Sequence, residues 1–178
     1  MIVLNEEQEV AAVEKYKHYS QILMPKFYIC RIYFLKGKSL VSEHRERPTT
    51  YLRISYGSEK VSLKDQTFCK ESSNPEYYCS HDIVMELPGP STVRVEVMED
   101  YKLRSDRVLG YTDIDVESRY LTRHWHLLQR KPIELRNLYS DYGCGSQGRL
   151  EMWIELIERR NWENMPAIKI NPPPYDEY

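Results

Sequence analysis

The chain has 178 residues, with 25 Lys and Arg against 27 Asp and Glu, so its formal net charge is −2 at pH 7. This length favours one domain with extensions, and the near-neutral charge argues against a dedicated nucleic-acid-binding protein, which usually carries a strong basic excess. The 15 Tyr and 7 Gly disfavour a fold built around Gly-rich phosphate loops and favour β-sheets.

Residues 1–25 predict a helical extension. Asn5 is suited to cap the helix and Gln8 to bond back to it, which makes a capping box. Acidic residues fill the first turn, where the helix dipole favours negative charge. We expect the helix to end before Pro25, because a proline disfavours helical geometry in the residue that precedes it.

From Lys26 onward, many apolar residues recur at every second position, which is typical of half-buried β-strands. Turn signals such as Pro88-Gly89-Pro90 separate the runs. The pattern predicts seven or eight short strands and an all-β domain over residues 26–160, which we interpret as an antiparallel β-sandwich of eight strands. The runs that carry this pattern are Phe27–Leu35, Thr50–Tyr56, Val61–Leu63, Asp82–Leu87, Thr92–Met98, Val108–Val116 and Arg149–Ile157.

Two later stretches are less regular. Ser118–Leu128 is consistent with either a short helix or an extended segment that covers the sandwich. Residues 161–178 are predicted to form a linker toward a following domain. The reason is Pro172-Pro173-Pro174, which favours the semi-rigid polyproline II conformation.

The cysteines are typical of a protein from a reducing compartment. Cys30 lies within a strongly apolar run and Cys79 precedes another, so both are interpreted as small core residues. Cys69 and Cys144 complete the four, and no pair has the CxxC spacing of many metal and redox sites. No run of about 18 apolar residues is present to cross a bilayer, and no secretory leader is predicted.

Several stretches resemble the C2 domains of the ferlin family. The pair Asn74-Pro75 stands where C2 domains carry it. Leu109–Arg119 resembles the ferlin stretch IGxTxIDLExR, and Gln147–Glu155 resembles the ferlin strand QGxxEMWV. Ile170–Pro174, followed by Tyr178, resembles the linker to a next C2 domain.

The resemblance spans residues 27–178 and implies a C2-type β-sandwich without catalytic activity. It implies a late C2 domain of a longer, tail-anchored protein that acts in membrane trafficking, vesicle fusion and exocytosis. The expected location is the cytoplasmic face of a vesicle or of the plasma membrane. The expected partners are anionic membrane lipids and neighbouring C2 domains of the same protein.

Many C2 domains bind calcium through acidic residues in two loops, and this sequence departs from that pattern. Ca²⁺ takes roughly six to eight oxygen ligands, several of them carboxylates. Thr49 and Tyr101 stand at positions where the resemblance implies acids, and the last acidic position falls at Asp106 or Arg107. We therefore expect no metal and no other cofactor. The remnant acidic candidates are Glu43, Glu99, Asp100 and Asp106.

Two groups of basic residues are candidate lipid contacts. Loop residues could approach anionic headgroups, each worth on the order of 1 kcal/mol near the surface, although solvated, salt-bridged loops without a lipid role are an alternative. A second group on adjacent strands forms a candidate phosphoinositide patch, although such charges usually mark a solvated face. The membrane-facing candidates are His44, Arg45, Arg47, Lys102, Leu103, Arg104 and Arg107, and the patch candidates are Arg53, Lys60 and Lys64.

Catalysis is not predicted, because the sequence offers no combination of nucleophile, base and acid. His124 and His126 lack further metal ligands, and Cys79 with His81 lacks an orienting acid. Two functions remain open, and neither involves nucleic acid. The first is a membrane and phospholipid-association module of a ferlin-like vesicle-fusion protein, with degenerate or absent calcium binding. The second is a scaffolding C2 domain that packs against neighbouring ferlin domains without touching lipid.

Overall fold

Helix α1, Glu6–Leu23, opens the described part of the chain. The structure is a computed structural model that describes residues 6–141 and 145–172, so the capping residue Asn5 and Cys144 lie outside the described residues. The helix ends before Pro25, as predicted from the restriction that a proline places on its predecessor. Val10 and Val13 are 60% and 52% exposed, so these apolar residues of α1 are not part of the core.

Across residues 6–141 and 145–172, eight strands form two antiparallel sheets of four, which confirms the predicted sandwich. The strands are β1 Lys26–Lys38, β2 Thr50–Tyr56, β3 Glu59–Ser62, β4 Glu76–Leu87, β5 Thr92–Glu99, β6 Arg107–Asp115, β7 Glu134–Asn137 and β8 Arg149–Glu158. One sheet has the order β4-β1-β8-β7, and the other has the order β3-β2-β5-β6.

Short helices connect the strands. Helix α2, Lys64–Thr67, follows β3, while α3, Val116–Leu121, and α4, Arg123–Leu127, follow β6. Of the two alternatives left open for residues 118–128, the helical one is therefore confirmed. A 3₁₀ helix, Arg159–Asn164, continues from the end of β8.

The core lies between the two sheets. From β1, Cys30, Ile32 and Phe34 point into it and are fully buried. Leu52 of β2 and Val95 of β5 meet them from the other sheet. Because side chains alternate between the two faces of a strand, this inward set produces the period of two that is visible in the sequence.

The strands differ in places from the sequence prediction. β4 begins at Glu76 rather than Asp82, because its polar first half also pairs with β1. β7 has only four, mostly polar residues and is defined by its pairing with β8, so it carries no apolar period. The strand predicted at Val61 is confirmed as β3, but it is not half-buried, since Val61 is 38% exposed and the buried Leu63 lies beyond the end of β3.

Residues 159–168 lie against the outer face of β1, where they contact the buried Arg31. Arg31 is 3% exposed, and its Nε and Nη2 donate to the two carboxylate oxygens of Asp82 at 2.7 and 2.9 Å. Its Nη1 donates to the Met165 carbonyl oxygen at 2.6 Å, and Trp162 Nε1 donates to Asp82 at 2.7 Å. Burial acts to raise the pKa of Asp82, but the bonds from Arg31 and Trp162 outweigh it and lower that pKa.

The chain continues along the same sheet beyond this contact. The Ile168 N–H donates to the Tyr33 hydroxyl at 3.1 Å, and the Tyr33 ring stacks on Trp153 with centroids 4.2 Å apart. The first part of the predicted linker therefore contacts the sandwich, while residues 173–178 lie outside the described residues. The limits 1–25, 26–160 and 161–178 stay predictions.

We expect Arg31→Met to lower the free energy of unfolding by about 2 kcal/mol, because it leaves a partly buried Asp82 without its charged partner. The control is Arg94→Met, which removes an ion pair of 2.7 Å with Asp113 in which both side chains are 41% exposed and should cost less than about 1 kcal/mol. Urea unfolding of both variants measures the difference. Equal losses would contradict a structural role for the Arg31 contact.

Candidate functional site: the loop end of the sandwich

Three loops that connect strands meet at one end of the sandwich. They are residues 39–49 between β1 and β2, residues 63–75 around α2, and residues 100–106 between β5 and β6. A backbone bond from the Asp100 N–H to the Thr49 carbonyl oxygen, 2.8 Å long, ties the first and third loops together. We call this region the loop end.

A cavity of about 900 Å³ opens between these loops. Its walls carry the aromatic rings of Phe68 and Tyr101. Leu103 lies at the cavity and is fully exposed, at 100%. Basic side chains outnumber the acidic Glu71 and Asp100 in the lining. The basic lining residues are His44, Arg45, Lys70, Lys102 and Arg104.

Tyr101 organises the centre of the loop end. Its side chain is largely buried, and its hydroxyl donates to Glu99 Oε2 at 2.7 Å. The guanidinium groups of Arg104 and Arg45 lie 3.8 and 4.6 Å from its ring centroid. These cation–π contacts hold both arginine side chains at the cavity. Burial and the bond to Glu99 raise the pKa of Tyr101, so its hydroxyl stays protonated.

The carboxylate of Glu99 is buried and fully engaged. Glu99 is 2% exposed. Ser42 Oγ donates to its carboxylate at 2.9 Å, and the Tyr101 hydroxyl supplies the bond described above. Donors of this kind are what a buried carboxylate requires. Glu99 is therefore part of the scaffold of the loop end.

The two other acids of the β5–β6 loop share one lysine. Lys64 Nζ donates to Asp100 Oδ1 at 2.5 Å and lies 3.4 Å from Asp106 Oδ2. Asp106 also accepts bonds from the Tyr51 hydroxyl at 2.9 Å and from the Tyr101 N–H at 3.0 Å. The bond to Asp100 raises the pKa of Lys64. Burial acts to raise the pKa of Asp106, but its hydrogen bonds outweigh this effect and lower it.

Glu43, the last of the remnant acids, pairs with Arg107. Arg107 Nη2 donates to Glu43 Oε2 at 2.8 Å, and its Nη1 lies 3.1 Å from His44 Nε2. The bond from Arg107 lowers the pKa of Glu43. Each of the remnant acids predicted from the sequence thus has a partner within the protein.

The structure brings together most of the predicted membrane-facing residues. His44, Arg45, Lys102, Leu103 and Arg104 line the cavity. Arg47 is exposed in the same β1–β2 loop but is not among the cavity lining residues. Arg107 lies at the start of β6 and is engaged by Glu43.

The three residues of the predicted phosphoinositide patch lie on β2, β3 and α2. Arg53 lies opposite Ser62 and Lys60 lies opposite Ser55 in the β2–β3 ladder, so these two basic residues share one face. Arg53 Nε donates to Glu96 at 2.5 Å, which offsets its charge. The placement of Lys64 on an adjacent strand is corrected: Lys64 lies in α2, because the chain leaves β3 at Ser62. Its ammonium group lies 4.9 Å from the ring centroid of Tyr51, which alternates with Arg53 on the same face of β2.

Sequence reasoning missed several residues of the loop end. Lys70 and Phe68 line the cavity from the connection before β4, which carries no periodic signal. Nothing in the sequence marks Ser42 and Tyr51 as site residues, because their contacts with Glu99 and Asp106 depend on the tertiary fold. The available signal was the local excess of Lys, Arg and aromatic residues in loops that start and end at the same side of the sandwich.

No metal cluster is found in the part of the chain that the structure describes. Within residues 6–141 and 145–172, no group of three or more His, Cys, Asp and Glu is arranged to hold an ion. His126 Nε2 instead lies 2.6 Å from the Tyr120 carbonyl oxygen. None of the described helices is both long and apolar enough to span a bilayer.

The sequence profile of the C2 domain matches residues 28–128, which is more than half of the chain. The chain belongs to the C2 domain family. The loop end of this C2 domain is formed by the connections β1–β2, β3–β4 and β5–β6.

Curated relatives of this C2 domain are ferlins, in agreement with the resemblance seen in the sequence. Ferlin 2 of Toxoplasma gondii is 26% identical over 157 residues, which cover 84% of this chain and 11% of the relative. The sperm vesicle fusion protein fer-1 of Caenorhabditis elegans is 28% identical over 96 residues, covering 53% and 5%. The chain therefore spans only a small part of the length of these relatives.

Solved C2 structures confirm the C2-type fold. A structure of Extended-Synaptotagmin 2 that holds its SMP domain and two C2 domains has a TM-score of 0.58 and 12% identity, covering 84% of this chain and 32% of that chain. A C2 domain of plant Extended Synaptotagmin 1 has a TM-score of 0.56 and 11% identity, covering 73% of this chain and 94% of that chain.

We expect Asp106→Asn to lower the free energy of unfolding by about 1 kcal/mol at pH 7, because the hydrogen bonds to Asp106 lose their charge. The pKa of Asp106 is lowered, so its contribution is present above the ordinary value of 3.8 and is lost as the pH falls through the lower folded value. Melting temperatures of wild type and variant should therefore converge on acidification.

The matched control for this pH series is Asp65→Asn, which changes an exposed acid on α2. A surface substitution of this kind should change stability by about 0.5 kcal/mol or less. A gap between wild type and Asp106→Asn that stays constant from neutral to acidic pH would contradict the role given to the Asp106 carboxylate.

Proposed function

We propose that this C2 domain is a non-catalytic module that associates with anionic phospholipid membranes through its loop end and does so without a divalent cation. The observation that carries the proposal is the tip of the β5–β6 loop, where the fully exposed Leu103 stands between the exposed Lys102 and Arg104. An apolar tip flanked by cations suits the boundary between headgroups and acyl chains.

The expected strength of this association is modest. Each basic residue near an anionic surface contributes on the order of 1 kcal/mol, and burying one Leu side chain contributes about 2 kcal/mol. Arg45 and Arg104 are already ordered against Tyr101, which reduces the entropy lost when they meet headgroups. Binding of this size is reversible, so neighbouring C2 domains in a longer protein would add to it by avidity.

The names of the relatives support a biological setting for this C2 domain. One relative is named a sperm vesicle fusion protein, and the others carry ferlin names. We infer a role in vesicle fusion and exocytosis, at the cytoplasmic face of a vesicle or of the plasma membrane, within a longer membrane-anchored protein.

The thiols support a role without catalysis. Burial raises the pKa of Cys79 to about 11, and burial likewise raises the pKa of Cys30 to about 12. A thiol acts as a nucleophile through its thiolate, and few thiolates exist near neutral pH at such values. Cys79, which the sequence pairs with His81, is therefore a poor nucleophile.

Vesicle co-sedimentation tests the lipid proposal. We expect the wild-type domain to bind phosphatidylserine vesicles at low salt equally well with calcium and with a chelator. The triple variant Lys102→Gln, Leu103→Ala, Arg104→Gln should bind at least about tenfold more weakly, because it removes two charges and most of the apolar tip.

Lys60→Gln is the matched control, since it removes an exposed charge from β3, outside the loop end. Its binding should match that of the wild type. If Lys60→Gln and Arg53→Gln weaken binding instead of the triple variant, the sheet face is the lipid contact. If no anionic vesicles retain the wild-type domain, the lipid proposal fails and the scaffolding function is favoured.

A further inference from the structure

The ammonium group of Lys64 lies between two carboxylates at the loop end. Its Nζ is 2.5 Å from Asp100 Oδ1 and 3.4 Å from Asp106 Oδ2. Oxygen ligands surround a bound Ca²⁺ at about 2.3–2.6 Å, so the ammonium meets the first oxygen at a comparable separation. Both acids belong to a loop far from Lys64 in the sequence, by 36 and 42 positions.

The backbone fixes the position from which Lys64 reaches these acids. Lys64 is the first residue of α2, and the preceding Leu63 is buried in the core. Thr67 Oγ1 accepts a bond from the Leu52 N–H at 2.8 Å and donates to the Leu63 carbonyl oxygen at 2.8 Å. The ammonium lies 4.9 Å from the Tyr51 ring centroid. Anchored in this way to β2, α2 presents the ammonium to the neighbouring loop.

We propose that Lys64 is an intramolecular cation that takes the place of a divalent metal ion between Asp100 and Asp106. A divalent ion could enter this position only by breaking both ion pairs, and it would then lie beside the displaced ammonium, which repels it. Glu99, the third acid nearby, is engaged by Ser42 and Tyr101. The residues present at the loop end therefore do not fit calcium.

Lys64 also determines which sign of charge the loop end attracts, and this part rests on the proposed lipid function. With the ammonium in place, the negative charge of Asp100 in the cavity wall is neutralised. Arg45, Lys102 and Arg104 then make the cavity positively charged. Without the ammonium, Asp100 and Asp106 become two neighbouring uncompensated carboxylates. Lys64 is thus a specificity-determining residue that makes anion binding independent of calcium.

Thermal unfolding without lipid tests the intramolecular cation. We expect calcium at about 5–10 mM to leave the melting temperature of the wild type unchanged. The same calcium should raise the melting temperature of Lys64→Met by about 3–6 °C, as expected for a ligand present at roughly ten times a weak dissociation constant. Lys60→Met, which removes the same group from the adjacent strand, should behave as the wild type does.

A second variant tests whether the calcium-dependent rise in melting temperature depends on Asp100 and Asp106. Adding Asp100→Asn to Lys64→Met should abolish the calcium-dependent shift, because it removes one of the two carboxylates. The proposal is overturned if calcium stabilises the wild type as much as Lys64→Met, or if a folded Lys64→Met or Lys64→Gln shows no calcium-dependent shift. Since no lipid is present, either result is independent of the vesicle experiment.

In the vesicle assay, Lys64→Met should bind phosphatidylserine in a calcium-dependent manner, whereas the wild type should not. Binding of Lys64→Met that is equal with calcium and with a chelator would overturn the inferred role in specificity. Failure of every variant and of the wild type to bind vesicles would instead overturn the proposed lipid function and leave the melting result standing.

Discussion

The burial of β1 on both faces is the constraint on which the rest of this sandwich depends. One face supplies Cys30, Ile32 and Phe34 to the core, and the other face carries Arg31, a charged residue that is 3% exposed. A buried guanidinium is tolerated only when acceptors surround it. Asp82 on β4 and the Met165 carbonyl oxygen meet this need. The strand pairing and the path of the chain after β8 are therefore linked through one side chain.

Pairing of charged side chains inside the protein also determines the properties of the loop end. The four acids predicted as calcium-site remnants are paired within the protein: Glu43 with Arg107, Glu99 with Ser42 and Tyr101, and Asp100 and Asp106 with Lys64. What stays exposed after this internal pairing decides what the loop end can bind. Leu103 and its basic neighbours protrude, and Tyr101 holds two further guanidinium groups beside them. The internal pairs thus act on function indirectly, by selecting the charges that remain for a partner.

The sandwich could be predicted from the sequence because its central strands alternate clearly. Val93, Val95 and Val97 of β5 all point into the core and are fully buried, so the period of two survives in the sequence. β7 could not be predicted, because an edge strand of four residues has no buried face to impose a period. Leu63 continued the alternation of Val61, although it is the point where the chain leaves β3 for α2.

The candidate site was only partly predictable for a different reason. The sequence indicated which loops carry basic residues, because each loop can be inspected by itself. It could not indicate that Lys64 meets Asp100 and Asp106, since that contact depends on how far the turn after Leu63 carries the chain across the end of the sandwich. Side-chain pairs between separate loops are set by the tertiary fold, and no local period reports them.

A net charge of −2 therefore says little about the sign of the surface that meets a partner. Where acidic and basic residues are nearly equal in number, the ion pairs formed inside the protein determine which charged side chains remain available to bind a partner. At this loop end, Lys64 forms ion pairs with Asp100 and Asp106, although it lies in a different loop. Counting carboxylates in the β1–β2 and β5–β6 loops would overestimate the attraction for a cation. The charge presented by a C2 loop end has to be derived from all three connecting loops, including the one that contains α2.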